Sequence, residues 1–164
     1  MYLLDSNVLK EAKNRYYSFG ICPGFWNWLE QSSEAGLVGS VESIRMEIND
    51  GDEDDDLRQW INNGQPLEFF SPDAATVEAM KEVSRWVMMR DYDEKNRSAF
   101  FAKADPLLIA HAMAHQHTVV THESYVPSNS KKVKIPNVCE AMEVPWINCF
   151  DMLASEQARF TLEE

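Results

Sequence analysis

The sequence predicts an α/β sandwich built on a mostly parallel sheet, and three observations carry that prediction. Short apolar runs alternate along the chain with stretches of helical periodicity. The first run, Met1-Tyr2-Leu3-Leu4, is too short for a helix and apolar throughout, as a strand buried on both faces would be. Two runs then stop abruptly in an acid, at Asp5 and at Glu123. Open α/β sheets place their ligand sites beyond the carboxyl ends of their strands, so these acids are the first candidates for function.

Composition sets the bounds. The chain has 164 residues, 45% of them hydrophobic and 11% aromatic, enough to bury one core and too few for two domains of ordinary size. A single domain over residues 1–164 is expected. Its three cysteines, Cys22, Cys139 and Cys149, form no CxxC pair and suggest neither a disulfide framework nor a thiolate zinc site, which suits a reducing cytoplasm. Neither a secretory leader nor an apolar run of about 18 residues is present in the sequence, so no membrane association is expected. The formal charge of −12 argues against a general electrostatic grip on nucleic acid. It leaves room for a nuclease whose acids cage a cation, because bound divalent ions reverse the local field.

After Asp5, residues 7–15 have helical composition, with Ser6 or Asp5 available as cap and Lys10, Lys13 and Arg15 on the polar face. A second helix opens near Pro23 and stops at Gly36. Leu37-Val38-Gly39 reads as the second strand, and Ser40 as the cap of a helix to Ile48 whose apolar positions are Val41, Ile44 and Ile48. Glu47 lies three residues after Ile44 and borders that stripe. Asp50, Asp52 and Asp54 alternate as in a calcium loop, but Asp55 and Ile61 stand where an EF-hand needs glycine and glutamate. Those acids better complement the start of a helix from Leu57 to Asn62.

Leu67 to Phe70 is a short extended piece, and Ser71-Pro72-Asp73 starts a helix with an apolar stripe of Val77, Met80, Val83, Val87 and Met88. Residues 91–97 are charged and aperiodic, a loop or a frayed helix end. Asp105-Pro106 then reads as cap and first residue of a helix whose Ala110, Ala112 and Ala114 let it lie close to a sheet. Thr118-Val119-Val120-Thr121 is a β-branched strand ending in His122 and Glu123. A polar loop over 124–130, basic residues at 131–134, a turn at Ile135-Pro136 and a helix near 137–143 follow. Residues 144–148 form a last strand, at an edge because of Pro145, and Phe150 to Phe160 a closing helix.

Asp5, Glu47, Asp105 and Glu123 are the acids that this order brings to strand ends, a helix start and a helix flank. Glu42, on the same helix as Glu47, is the alternative to it. Singly, each has an ordinary explanation as a cap or a solvated carboxylate. Together, carboxylates from separate segments repel one another, and a divalent cation relieves that repulsion. Hard oxygen ligands suit Mg²⁺ or Mn²⁺ and leave positions for water and a phosphate.

These four segments resemble the PIN-domain ribonucleases, a family that includes the VapC-like toxins of toxin–antitoxin systems. Tyr2-Leu3-Leu4-Asp5-Ser6-Asn7 resembles the first motif, residues 41–48 the helix carrying the second acid, Ala104-Asp105-Pro106 the third motif, and Val119 to Glu123 the fourth. The fourth position usually holds aspartate and here holds Glu123, and the stretch between the second and third motifs is long. The resemblance is to a branch known mainly as proteins of unknown function.

It implies a three-layer α/β/α sandwich and an endoribonuclease that hydrolyses RNA phosphodiesters with a metal-activated water. Asp5, Glu47 and Asp105 would hold Mg²⁺ or Mn²⁺, with Glu123 a fourth or outer ligand and Ser6, Asn7 and Thr121 supporting them. Lys10, Lys13, Arg15, Lys131, Lys132 and Lys134 are candidates for the RNA backbone, each also readable as a solvated cation. The implied partners are an antitoxin protein and a second copy of the chain.

Two other readings compete. His111 and His115 lie four apart with His122 farther along, but Ala112 stands where a zinc HExxH helix needs glutamate, so helix-packing histidines are the default. A PIN-like module that binds RNA or a partner without cutting is kept open by the altered fourth acid. Trp26, Trp28, Trp86 and Met88 would then be candidates for a partner surface, against a core role.

Overall fold

Apolar runs of two to four residues assemble into a five-stranded sheet in the computed structural model, which describes residues 1–161. Residues 162–164 of the expected domain lie outside the described residues. The strands are β1 (Tyr2–Leu4), β2 (Val38–Val41), β3 (Phe69–Phe70), β4 (Thr118–Val120) and β5 (Trp146–Ile147), in the order β3-β2-β1-β4-β5. Every pairing is parallel, so helices must cover both faces. Leu3, Leu4, Val38, Val119 and Val120 are fully buried at the centre. The result is the expected three-layer α/β/α sandwich.

The chain runs outward from β1 through β2 to β3, then returns to the other side of β1 for β4 and β5. This places the topological switch point between β1 and β4, and Asp5 and Glu123 both lie just past it. The second strand begins and ends later than expected and includes Ser40, whose hydroxyl donates to the Leu4 carbonyl at 2.6 Å instead of capping a helix. Gly39 is needed there, because a Cβ would sit 3.1 Å from the Glu68 carbonyl oxygen and 3.2 Å from the Phe70 ring.

The helices are α1 (Ser6–Glu11), continued by a π-helical turn over Ala12–Tyr16, α2 (Pro23–Glu34), α3 (Glu42–Asn49), α4 (Asp56–Asn62) and α5 (Ala74–Met89). They continue with α6 (Glu94–Phe101), α7 (Asp105–His115), α8 (Ile135–Ala141) and α9 (Cys149–Ser155). Asp55 caps α4 by accepting from the Leu57 and Arg58 amides, and Asp73 caps α5 by accepting from Thr76. The acidic loop before α4 therefore serves the helix start, as expected. Among the described residues no helix is long and apolar enough to cross a membrane.

Four expectations need correction. Residues 91–97 are not a loop throughout, since α6 begins at Glu94 and is anchored by the buried Phe100. The buried stripe of α5 is Thr76, Ala79, Val83 and Val87, while Val77 and Met88 are exposed. Small residues at 76 and 79 let α5 pack along the alanine-rich α7, which displaces the larger side chains from the contact. The eighth helix starts at Ile135 with Pro136 in its first turn, where a turn was expected. The last helix ends at Ser155, and Phe160 packs separately on Tyr17 and Phe25.

Candidate acidic centre

Asp5 sits where a cap of α1 would sit, yet its side chain makes no cap bond. It is 2% exposed and accepts a hydrogen bond from Thr121 Oγ1 at 2.9 Å. Asp105 is not a cap either, because Ala104 takes that position and Asp105 opens α7 as a buried first residue. Glu47 faces α1, where Oε1 accepts from Ser6 Oγ at 2.7 Å and from Lys10 Nζ at 2.8 Å. Glu42 turns instead to Arg45, 3.8 Å away on its own helix. Glu123 accepts from the Ile135 amide at 2.8 Å and from Lys134 Nζ at 3.4 Å.

The acids act on one another electrostatically. Burial pushes Asp5 up to about 6, opposed by the Thr121 bond and reinforced by the charges of Glu123 and Glu47. Burial pushes Asp105 up to about 7, reinforced by Asp5, Glu123 and Glu47. Burial would raise Glu47 too, but the bonds from Lys10 and Ser6 outweigh it and hold Glu47 below the usual carboxylate range. The four expected positions therefore form one region of negative potential.

As the side chains stand, no three acids, histidines or cysteines among the described residues are gathered closely enough to hold a metal ion. The cause is visible in the contacts, since Glu47 is drawn to Lys10 and Glu123 to Lys134 and the start of α8. Asp5 and Asp105 are different. Neither is ion-paired among the described residues, and both are buried beside like charge. Two carboxylates raised towards neutrality first by burial and then by neighbouring acids are a donor set that fits a hard divalent cation. Glu47 and Glu123 fit it as ligands only after releasing their lysines.

Ser6, Asn7 and Thr121 form the frame behind these acids. Asn7 Nδ2 donates to Thr121 Oγ1 at 3.3 Å, and Asn7 Oδ1 accepts from the His122 amide at 3.1 Å. Thr121 Oγ1 also accepts from the Glu123 amide at 3.1 Å, so one hydroxyl joins Asp5, Asn7 and the turn that carries Glu123. Thr121→Val keeps the shape and strands these partners. It is expected to cost about 1–3 kcal/mol in urea unfolding, and an unchanged transition midpoint would show that the hydroxyl holds nothing.

Most of the basic candidates are already paired. Lys13 bonds Asp55, Lys131 bonds Asp91, and Arg15 lies 3.3 Å from Glu11. Lys10 and Lys134 are counter-ions of the acidic centre, a role that helix periodicity could not reveal. Lys132 is exposed in the loop before α8. His122 does not join His111 and His115, whose neighbour is His117, with ring centroids 6.0 Å from each. His115 pairs with Asp73 and His111 with Thr76. The cysteines are free, and Trp26 is core, stacked on Phe19. Reading residues 7–15 as a plain helix missed Tyr16, which lines a cleft with His122 and Glu123.

A family model described as "Domain of unknown function (DUF4411)" matches residues 2–160. No curated protein matches the sequence. Among solved structures, the fold is similar to a chain in the crystal structure of VapBC2 from Rickettsia felis, bound to a DNA fragment from their promoter. The TM-score is 0.57 at 14% identity, covering 90% of this chain and 97% of that one.

Proposed function

From a chain that belongs to the family described as Domain of unknown function (DUF4411), and whose PIN-like fold is shared with a chain of VapBC2, we propose a metal-dependent endoribonuclease. It would act in the cytoplasm as the toxin of a toxin–antitoxin pair, with an antitoxin protein as partner. The observation that carries this reading is the buried pair Asp5 and Asp105 past the switch point of the sheet, flanked by Glu47 and Glu123.

Mg²⁺ or Mn²⁺, when bound, would supply a more acidic water and charge neutralisation at phosphorus. Asp5 and Asp105 would hold the ion and Glu47 and Glu123 flank it. Thr121 keeps Asp5 Oδ2 in place, and Ser6 orients Glu47. Lys10, once parted from Glu47, would be free to meet a substrate phosphate. In hydrolysis the water oxygen bonds to phosphorus as the bond to the leaving oxygen breaks, and that oxygen takes up a proton.

A second reading has its own observation. Glu123 is committed to the Ile135 amide and Lys134, which favours a module that binds RNA without cutting it. Incubation of the pure protein with single-stranded RNAs in Mg²⁺, Mn²⁺ or EDTA separates the two. Internal cleavage in the metal arms alone is expected. RNA bound but intact in every arm would leave the second reading, and RNA neither bound nor cut would overturn both.

A further inference from the structure

Beside the acidic centre, on its Glu123 side, lies a cleft of about 550 Å³ lined in part by Asn7, Arg15, Tyr16, His122, Glu123 and Lys134. Asn7 and Glu123 belong to the hydrogen-bonded frame of the centre, so an occupant of the cleft lies against it. Tyr16 is the aromatic residue of this lining that the proposed chemistry leaves unused.

Its position is set by the way the first helix ends. In an uninterrupted α-helix the residue four after the buried Ala12 falls on the same inward face, and that residue is Tyr16. The chain instead closes a π-turn, with the Tyr17 amide donating to the Ala12 carbonyl at 2.7 Å. One extra residue in the turn shifts the register by roughly 100°. Tyr17 takes the inward place, stacked on Phe25 at 4.5 Å, and Tyr16 is turned out to the cleft with 48% of its surface exposed. The π-turn closes the helix, since Tyr17 already leaves helical backbone at φ −138° and ψ 49°, and its effect is to deliver an aromatic ring to the side of the acidic centre.

The ring is also held. Phe150 meets it edge-on at 5.0 Å, and His122 packs on both, with centroids at 6.0 and 5.4 Å. A fixed, exposed aromatic ring is the platform on which unpaired nucleobases stack, whatever their identity. The Arg15 side chain is 69% exposed and, among the described residues, paired with Glu11 across the helix surface, a bond that contributes little and can be exchanged for a phosphate.

We propose that this cleft is a nucleobase subsite, in which Tyr16 stacks an unpaired base next to the bond that is cut and Arg15 meets the adjoining phosphate of the RNA. The inference rests on the ribonuclease reading for the bond that is cut, and on the geometry of the cleft for the base. The contact is aromatic stacking, so the tyrosine hydroxyl is dispensable.

Steady-state cleavage of a single-stranded RNA by Tyr16→Ala and Tyr16→Phe, with binding of the same labelled RNA to Asp5→Asn alone and combined with Tyr16→Ala, tests this. Tyr16→Ala is expected to raise KM about tenfold with kcat little changed, to weaken binding by a similar factor, and to be rescued by Tyr16→Phe. A folded Tyr16→Ala with unchanged KM and binding overturns the subsite and leaves the ribonuclease standing. Binding that weakens with Tyr16→Ala in a protein that never cuts overturns the ribonuclease and keeps the subsite. RNA binding untouched while Tyr16→Ala alters sedimentation of the protein alone makes this face a contact between copies, and overturns the subsite. Absence of both binding and cleavage overturns both.

Discussion

Asp5→Asn is expected to lower metal-dependent RNA cleavage by roughly a thousandfold or more and, in the same protein, to raise thermal stability in EDTA at pH 8. The two effects have one cause. Asp5 is buried beside Asp105, Glu47 and Glu123, so its ionised form is held at a cost that the Thr121 hydrogen bond offsets in part and a bound cation would offset further. Asparagine removes the charge, keeps the volume, and still offers an oxygen to the Thr121 hydroxyl. Loss of a ligand charge and relief of repulsion thus pull activity and stability in opposite directions. An ordinary helix cap would behave otherwise, losing stability modestly and leaving cleavage alone. Cleavage that survives in a folded Asp5→Asn protein would remove Asp5 from the centre.

The metal-free protein is expected to lose stability as pH rises from about 4 to about 7. In the unfolded chain an aspartate titrates near its ordinary value of about 3.9. In the fold Asp5 and Asp105 are pushed up to about 6 and about 7, first by burial and then by neighbouring acids. Between those values the native state holds protons that the unfolded chain has released, so stability falls as pH climbs. Glu47 works the other way. Its value is lowered by Lys10 and Ser6, so its contribution is present above the ordinary glutamate value and is lost as acid protonates it in the fold.

A fall in Tm of roughly 5 °C or more between pH 5 and pH 8 in EDTA is the expected reading. Millimolar Mg²⁺ or Mn²⁺ should restore much of it at pH 8 and little at pH 5, because an ion binds the ionised pair and competes with protons for it. Asp5→Asn should flatten the slope. A Tm that rises steadily from pH 5 to pH 8 without metal would mean that the acids are not coupled as their burial implies.

The strands and their acids were legible because both signals are local. Residues 2–4 and 118–120 are apolar or β-branched runs whose ends are marked by Asp5 and Glu123, and no distant contact is needed to see either. Asp55 and Pro23 announced their helices through the chemistry of the first turn. Residues 91–97, read as a loop or a frayed helix end, hid the start of α6 because that helix has a weak apolar pattern and depends on the burial of Phe100 by the rest of the molecule. Ser40 was misread because a hydroxyl that caps a helix and one that bonds the next strand look the same in one dimension.

The order of apolar runs and acids was enough to specify a parallel α/β sheet with a negative centre, since period and strand length follow from local sterics and burial. Which partner each acid takes depended on long-range packing. Glu47 rather than Glu42 faces α1, Lys10 and Lys134 neutralise two of the four expected acids, and Asp5 and Asp105 have no ion pair among the described residues. The place beside Phe25 that Tyr17 fills, leaving Tyr16 exposed after the π-turn, likewise exists only once the helices have packed.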